Sequence, residues 1–520
     1  VMQTWNIDKR QMETGKGIVA AQHFEAAEAG AKVLADGGNA MDAAVVTALV
    51  LSVVEPWLSG VGGGGLLLWA DADGTTVDTL DFNVRASRNV SREQYPLKGG
   101  RDGDWFDWPA VEGDRNITGY TSIGVPGAIA GFAAALEKYG TLSWAEALEP
   151  AIALAERGMI VDWFTSLCLT IDLAGLSQFP DTAALFLDEG KPRKVAQTGE
   201  ETYLPMPAKA KMLRKLAQRG ARDFYEGEIA RGLVEDLQAG GSVIDLEDLA
   251  VYAPRWATSQ SSAYRDCDVH VVPGLCGGPS LLQTMDTLRE SLPDGAVTGA
   301  GAASAYARAI RGTYQDRLKT MGHASKKGED CTSHVSVVDA AGNMVSLTNT
   351  LLSRFGSKVL LPQSGILMNN GMMWFDPREG VPNSIAPGAQ PLANMSPVIL
   401  LRDGRPWLAI GAAGGRQIFP ALTQLISYVV DGGMSLHEAF HTPRLDGSGP
   451  TIVVDRDAPA DVAASVAEHF PVRITSNTLH PVCFAIPSAV LSDRTSGRRY
   501  GMVHPVNPWT AAVAEDTGDA

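Results

Sequence analysis

Only five of the 520 residues are cysteine: Cys168, Cys267, Cys276, Cys331 and Cys483. The number is odd and no pair has CxxC spacing, which excludes a disulfide framework and a thiolate metal centre. Positive charge is scarce too. Against 59 Asp and Glu stand 43 Lys and Arg, for a net charge of −16, and the basic residues are scattered apart from Lys326-Lys327 and Arg498-Arg499. That balance excludes a nucleic-acid surface. No apolar run is long enough for a membrane span. The most apolar one, Ala40 to Val54, contains Asp42 and stops at Glu55, so a buried helix is expected there. Residues 1–14 have no apolar core followed by small residues, so no signal peptide is visible and a cytoplasmic location is expected, or a periplasmic or secreted one if the N-terminus has been trimmed. The sequons at Asn89 and Asn116 are then chance matches. Internal repeats and low-complexity runs are missing, which confines expected disorder to the tails, including the stretch beyond Ala511. A hydrophobic content of 45% still allows a large core.

The most informative stretch runs from Cys331 through Thr332-Ser333-His334-Val335-Ser336-Val337-Val338-Asp339 to Gly342-Asn343, then Met344-Val345-Ser346-Leu347-Thr348-Asn349-Thr350. Val335, Val337, Val345 and Leu347 alternate with small polar residues around turn formers, which predicts a β-hairpin. Counting outward from a turn at Ala341-Gly342 sets Thr332 opposite Thr350, to within about one residue of register. A threonine hydroxyl needs a base before it can act as a nucleophile. One solution puts the threonine at a chain start, where its own α-amine is the base. Thr332 is internal, so that chemistry requires cleavage of the Cys331–Thr332 bond. An ordinary hairpin rich in Thr and Ser accounts for the same residues without any chemistry.

Along the rest of the chain, Ile18 to Ala21 reads as a strand and His23 to Ala35 as a helix ended by Gly37-Gly38-Asn39. The glycine run Gly60 to Gly65 leads into a strand at Leu66 to Trp69. It lacks the Lys-Ser/Thr and the following helix of a phosphate loop, so close backbone approach is the expected reason for it. Asp162 to Leu249 reads mainly as helices. Tyr264 to Val272 reads as a strand, Ala303 to Met321 as an amphipathic helix, and His323 to Asp330 as a polar, mobile loop before Thr332. Gly365 to Asn370 reads as a strand ending in a polar turn, and Val398 to Leu401 as a strand. Trp407 to Ile410 runs into Gly411-Ala412-Ala413-Gly414-Gly415, followed by a helix over Gln417 to Val430. Amides at a strand-to-helix handover such as Gly414-Gly415 point outward unpaired, which suits an oxyanion hole and equally suits a plain tight turn.

Thr-Ser-His-Val-Ser-Val-Val-Asp at 332–339, followed by Gly-Asn-x-Val-Ser-Leu-Thr-x-Thr at 342–350, resembles the start of the small subunit of the γ-glutamyltranspeptidases. Further similarities follow in family order. They are Gly37-Gly38-Asn39-Ala40-x-Asp42-Ala43-Ala44, Val54-Glu55-Pro56, Gly60-Val61-Gly62-Gly63-Gly64, Val125-Pro126-Gly127-Ala128, Pro150-Ala151-Ile152 and Gly411 to Gly415. The resemblance implies a self-processing N-terminal-nucleophile (Ntn) hydrolase with a four-layer αββα sandwich. The 1–520 chain would be one domain, cut into a large fragment 1–331 and a small fragment 332–520 that stay associated. It implies Thr332 as nucleophile, since Cys331 lies one residue outside the family register. Thr350 would position the Thr332 hydroxyl, and the Gly414 and Gly415 amides would hold the oxyanion. His334 is expected to be structural. The substrate would be a small amide, with no cofactor and no metal, nucleic acid or membrane partner.

The sequence departs from the family where the glutamyl head is read. Asn83 follows Phe82 in place of an arginine, and Ala393-Asn394 replaces a serine pair. Trp374 and Leu352 stand where an Asp and an Asn hold the α-amine. An ammonium facing Trp374 and Leu352 would be desolvated without a partner. The expected acyl group is therefore not a free γ-glutamyl head, in keeping with relatives that hydrolyse oxamate or cephalosporin side-chain amides. Arg85 is a candidate replacement for the lost arginine, and with Asn394 it would sustain the alternative of true γ-glutamyl transfer. A further alternative is an uncleaved binding homologue. His437-Glu438-Ala439-Phe440-His441 matches HExxH, the pattern of a zinc metallopeptidase. Thr442-Pro443 cuts that helix directly after the second His, and the stretch resembles a family segment that holds no metal.

Overall fold

The computed structural model describes residues 7–101, 108–196, 198–292, 296–321 and 331–517. Two seven-stranded antiparallel sheets form its centre. The first runs in the order Arg255–Thr258, Val77–Phe82, Gly64–Ala70, Met344–Leu352, Cys331–Val338, Ile18–Ala21 and Ala511–Ala514. The second runs Met12–Thr14, Arg498–Val503, Ile486–Asp493, Arg405–Ala413, Val398–Arg402, Cys267–Val271 and Gln260–Tyr264.

Alternation along the central hairpin decides which side of each strand meets what. Val335, Val337, Val345 and Leu347 point to the helices Phe24–Ala35, Ala40–Val54, Ala128–Tyr139 and Trp144–Arg157, in one continuous apolar core. Val338 and Met344 point the other way and meet Ile399, Ala409 and Val490 of the second sheet. The outer face of that sheet is covered by Gly278–Ser291, Ala300–Thr320 and Ile418–Val430. The result is the expected αββα order. Polar residues stitch the two sheets across the middle: Ser346 Oγ donates to Ile410 O at 3.1 Å, and Ser336 Oγ donates to Ser488 O at 3.3 Å. Each sheet mixes strands from before and after residue 331, so no partition of the chain there separates two independent cores.

The helix Ala40–Val54 is buried over its whole length, and its start is fixed by a capping box between Asn39 and Asp42. The glycine run is explained by approach distances. A Cβ at Gly63 would lie 2.0 Å from Thr350 O, and one at Gly65 would lie 2.3 Å from Thr348 O.

Three expectations need correction. Ala511–Ala514 is an edge strand paired with Ile18–Ala21, not a loose tail, and the Gly17 N–H donates to Glu515 Oε2 beyond it at 2.8 Å. Tyr264 to Val272 is not one strand. Arg265 adopts φ 54° and turns the chain, so Gln260–Tyr264 and Cys267–Val271 form a hairpin. The strand in Gly365 to Asn370 is shorter than expected, only Ile366–Leu367, while the polar turn after it is present, with Asn369 and Asn370 bonded to loop backbone at Gly62, Gly124 and Ile117. The polar stretch His323 to Asp330 lies outside the described residues.

Candidate active site

The hairpin closes through Asp339, whose carboxylate accepts from the N–H groups of Gly342 and Asn343, each at 2.9 Å. Gly342 supplies the left-handed turn residue at φ 99°. Pairing is regular from Val338 opposite Met344 to Ser333 opposite Asn349. Beyond that the register shifts, so that Cys331 pairs with Leu352. Thr332 therefore faces a β-bulge on the other strand, where the two residues Thr350 and Leu351 stand opposite it at the end of the ladder. Its Oγ1 is 3.4 Å from Thr350 Oγ1, both residues being buried. Thr350 Oγ1 also accepts from the Leu352 N–H at 2.8 Å, which orients that hydroxyl. Leu352 adopts φ 85°, a region that costs a non-glycine residue roughly 1–3 kcal/mol.

Gly414 and Gly415 reach the same end of the sandwich. At the opposite end, the Ala72 N–H donates to Asn343 Oδ1 at 3.0 Å, and Gly74 packs against Gly404. The strand Arg405–Ala413 leaves from there and crosses the hairpin, with Gly411 seated on the His334 ring. It arrives at the Thr332 end, where Gly414 (φ 130°) and Gly415 (φ 54°) turn the chain into the helix Ile418–Val430. Such backbone turns leave N–H groups facing outward.

His334 lies between the sheets. Its Nδ1 is 2.9 Å from Thr348 Oγ1 and its Nε2 is 3.0 Å from Ser336 Oγ. Burial pulls its pKa down to about 3, so the ring is neutral and held as a structural element.

Glu55 is a residue of the site that sequence reasoning did not single out, although it stands inside the quoted Val54-Glu55-Pro56. It caps the helix Ala40–Val54 and is fully buried. Ser333 Oγ donates to its Oε2 at 3.0 Å, while Oε1 has no hydrogen-bond partner. Burial pushes its pKa well above the usual carboxylate range, partly opposed by the Ser333 hydrogen bond. Glu55, Gly414 and Arg354 line one cavity whose other walls are mostly apolar, among them Trp57, Phe164 and Phe484. A carboxyl with a raised folded-state pKa stabilises the fold at acid pH, and that contribution is lost as pH rises through the raised value. Glu55 is thus expected to contribute a decline in wild-type melting temperature as pH rises above the usual carboxylate range. Glu55→Gln, which keeps the shape and an acceptor for Ser333, flattens that decline. Equal slopes in thermal melts of the two proteins across the range would contradict the assignment.

The positions expected to face the acyl group fall into two sets. Leu352, Trp374 and Ala393 belong to one buried apolar cluster together with Val84, Met373 and Trp108. Trp374 Nε1 is buried without a partner. Asn83 is buried behind Gly64, its Oδ1 accepting from the Val84 N–H at 2.8 Å while its Nδ2 has no partner. Asn394 Oδ1 instead accepts from Arg317 Nη2 at 3.3 Å. Arg317 is buried and also donates to Ala393 O, Cys276 O and Ser280 Oγ, so it fixes the backbone of the Ala393-Asn394 pair. Nothing in its helical spacing distinguishes it from a solvated arginine. Asn83 and Arg85 both lie beyond the strand Val77–Phe82, so no strand face sets Arg85 beside Asn83 as a replacement for the lost arginine. The Arg85 guanidinium lies over the Tyr252 ring at 5.4 Å and donates to Ala253 O at 3.3 Å.

Comparison with known proteins gives the same answer along most of the chain. The family model described as Gamma-glutamyltranspeptidase matches residues 26–329 and 313–472. The chain is similar to the Acylase ACY 1 proenzyme of Pseudomonas sp. (strain SE83), with 33% identity over 88% of this chain and 87% of that protein. It is similar to the Glutathione hydrolase proenzyme of Escherichia coli (strain K12), with 32% identity over 82% and 80%. The fold is shared with the crystal structure of cephalosporin acylase from Bacillus halodurans, with a TM-score of 0.87 over 99% of this chain and 98% of that one, at 22% identity. The chain belongs to the γ-glutamyltranspeptidase family of self-processing Ntn amide hydrolases and acyltransferases.

Proposed function

We propose that Thr332 is the nucleophile of this enzyme and that its acyl donor lacks a free γ-glutamyl head. The observation that carries the first part is Thr332 opposite the bulge of the neighbouring strand, its hydroxyl 3.4 Å from that of Thr350 at the sandwich end where Gly414 and Gly415 turn. In the unbroken chain the Thr332 oxygen attacks the Cys331 carbonyl. The C–N bond breaks as the Thr332 nitrogen takes up a proton, leaving an ester. Water hydrolyses that ester to a Cys331 carboxylate and a free Thr332 α-amine. The left-handed backbone of Leu352, paired with Cys331 across the bulge, supplies local strain in support. Fragments 1–331 and 332–520 remain together because both central sheets interleave strands of each.

Once free, the Thr332 amine takes the hydroxyl proton and the oxygen attacks the substrate amide. The Gly414 and Gly415 amides hold the tetrahedral oxyanion. The amine then protonates the leaving group, and water or an acceptor amine releases the acyl group. Thr350 keeps the hydroxyl in line.

The substrate reading rests on the apolar surroundings of Leu352, Trp374 and Ala393, which offer an α-ammonium no counter-charge. The acylase relative supports it by name. Glutaryl- and γ-glutamyl-p-nitroanilide differ by that one amino group and make the direct test. The expected kcat/KM favours the glutaryl amide by about tenfold or more. A preference for the γ-glutamyl amide would restore true γ-glutamyl transfer and leave the Thr332 assignment standing.

A further inference from the structure

The segment around Asp8 meets the short helix Leu436–His441 on the surface, far in sequence from any partner it could have been expected to have. His437 and His441 are one turn apart, with ring centroids 4.3 Å from each other. Asp8 Oδ1 lies 2.8 Å from His437 Nε2 and 3.6 Å from His441 Nε2. The three donor atoms all fall within 4.8 Å of one another. Bonds of about 2.0–2.1 Å around a tetrahedral zinc ion separate its ligand atoms by roughly 3.3 Å, so the three are nearly at coordination spacing.

The surroundings of the rings point the same way. His441 Nδ1–H donates to His437 O at 2.8 Å, which fixes the tautomer and leaves Nε2 as the nitrogen with a lone pair, 3.6 Å from Asp8 Oδ1. A backbone carbonyl on the far nitrogen is the usual support of a metal-bound imidazole. The Nε2 accepts a long hydrogen bond from the Lys9 N–H at 3.2 Å, which a metal ion would displace. The Lys9 ammonium does not compete, being held by Asn507 O, Thr510 O and Thr510 Oγ1. Glu438, the general base of the metallopeptidase pattern, is spent on the helix cap, its Oε2 accepting from Ser435 N and Oγ. The early end of this helix and the capped Glu438 both argue against peptidase chemistry, and Asp8 supplies the third donor that the HExxH stretch lacks.

We propose that Asp8, His437 and His441 form a zinc site, with water as fourth ligand, that clips the segment around Asp8 to the helix Leu436–His441. Two imidazoles and one carboxylate select a borderline transition-metal ion over magnesium or calcium. The clip is independent of the acyl chemistry and joins residues on either side of position 331.

The test is calorimetric titration of full-length, chelator-treated protein with zinc chloride, with magnesium chloride as control. One zinc ion per chain and no magnesium are expected. Asp8→Asn, which leaves both rings in place, is expected to weaken zinc binding by about tenfold or more, and His437→Ala/His441→Ala to abolish it. Zinc is also expected to slow tryptic cleavage after Arg10 in the wild type and not in the double variant, with both proteins melting alike in the absence of metal. Zinc binding of equal stoichiometry and affinity in wild type and double variant would overturn the proposal. So would no binding to the wild type at 100-fold excess of metal.

Discussion

Thr332→Ala is expected to be purified as one chain of 55.0 kDa with no measurable amide turnover, while the wild type separates into two chains, the shorter of which begins Thr-Ser-His. Both losses come from one oxygen. In the proposed mechanism it is the atom that attacks the Cys331 carbonyl of the unbroken chain, and in the processed enzyme the atom that accepts the acyl group. Removal of a nucleophile that acts as a unit with its base costs about 10⁶-fold in kcat in the best-studied case, far more than any loss of positioning. The variant should still fold. Deleting one buried hydroxyl and one methyl, with Thr350 Oγ1 still receiving the Leu352 N–H, costs on the order of 1–3 kcal/mol. Thr332→Ser keeps the oxygen and is expected to process and turn over at reduced rate. Mass spectrometry of the three proteins, followed by Edman degradation, decides the matter. If Thr332→Ala is cut between residues 331 and 332, or retains turnover, another group is the nucleophile. If it stays whole and inactive while Thr332→Ser is cut, the hydroxyl is the agent.

How much of this was readable in advance depended on whether a feature is local. The hairpin and its polar lining follow from alternation, and the helix Ala40–Val54 follows from its apolar run and its cap. The four layers followed from the family resemblance, since no strand order can be counted along a chain. Register near the hairpin turn was countable, yet the bulge was not. It arises where Cys331 pairs with Leu352 in a left-handed conformation, and no residue type announces that. The edge strand Ala511–Ala514 is four small residues that become a strand only because Ile18–Ala21 offers an open edge. Glu55 and Arg317 look in sequence like surface charges, and their burial is decided by packing from distant segments. The same holds for Asp8, whose carboxylate meets His437 across more than four hundred residues. Side-chain chemistry was legible wherever a motif of fixed spacing carried it, and illegible wherever the partner came from elsewhere in the fold.

Gly414→Ala is the second variant with a large expected effect, and in the proposed mechanism its main effect is on the transition state. At φ 130° the position lies outside the range that alanine adopts without strain, and a Cβ there would sit 2.8 Å from Ala485 Cα. Relief of that contact requires the 413–415 turn to move, which re-aims the N–H groups proposed to hold the developing oxyanion. Removal of one such donor typically lowers kcat by about 10²–10³, or roughly 3–4 kcal/mol of transition-state stabilisation. KM for the amide should change little, because the ground-state carbonyl makes weaker use of the same donors. A structural collapse would also reduce activity, so a second quantity is needed to separate the two. Boronic acids form a tetrahedral adduct with a nucleophilic oxygen, and their affinity reports the oxyanion contacts directly. The expected result is a loss of boronate affinity that parallels the loss in kcat/KM, in protein whose fragments remain associated and whose melting temperature falls by only a few degrees. A variant that melts normally and binds the boronate as tightly as wild type would remove Gly414 from the oxyanion hole and leave its glycine as a requirement of the turn alone.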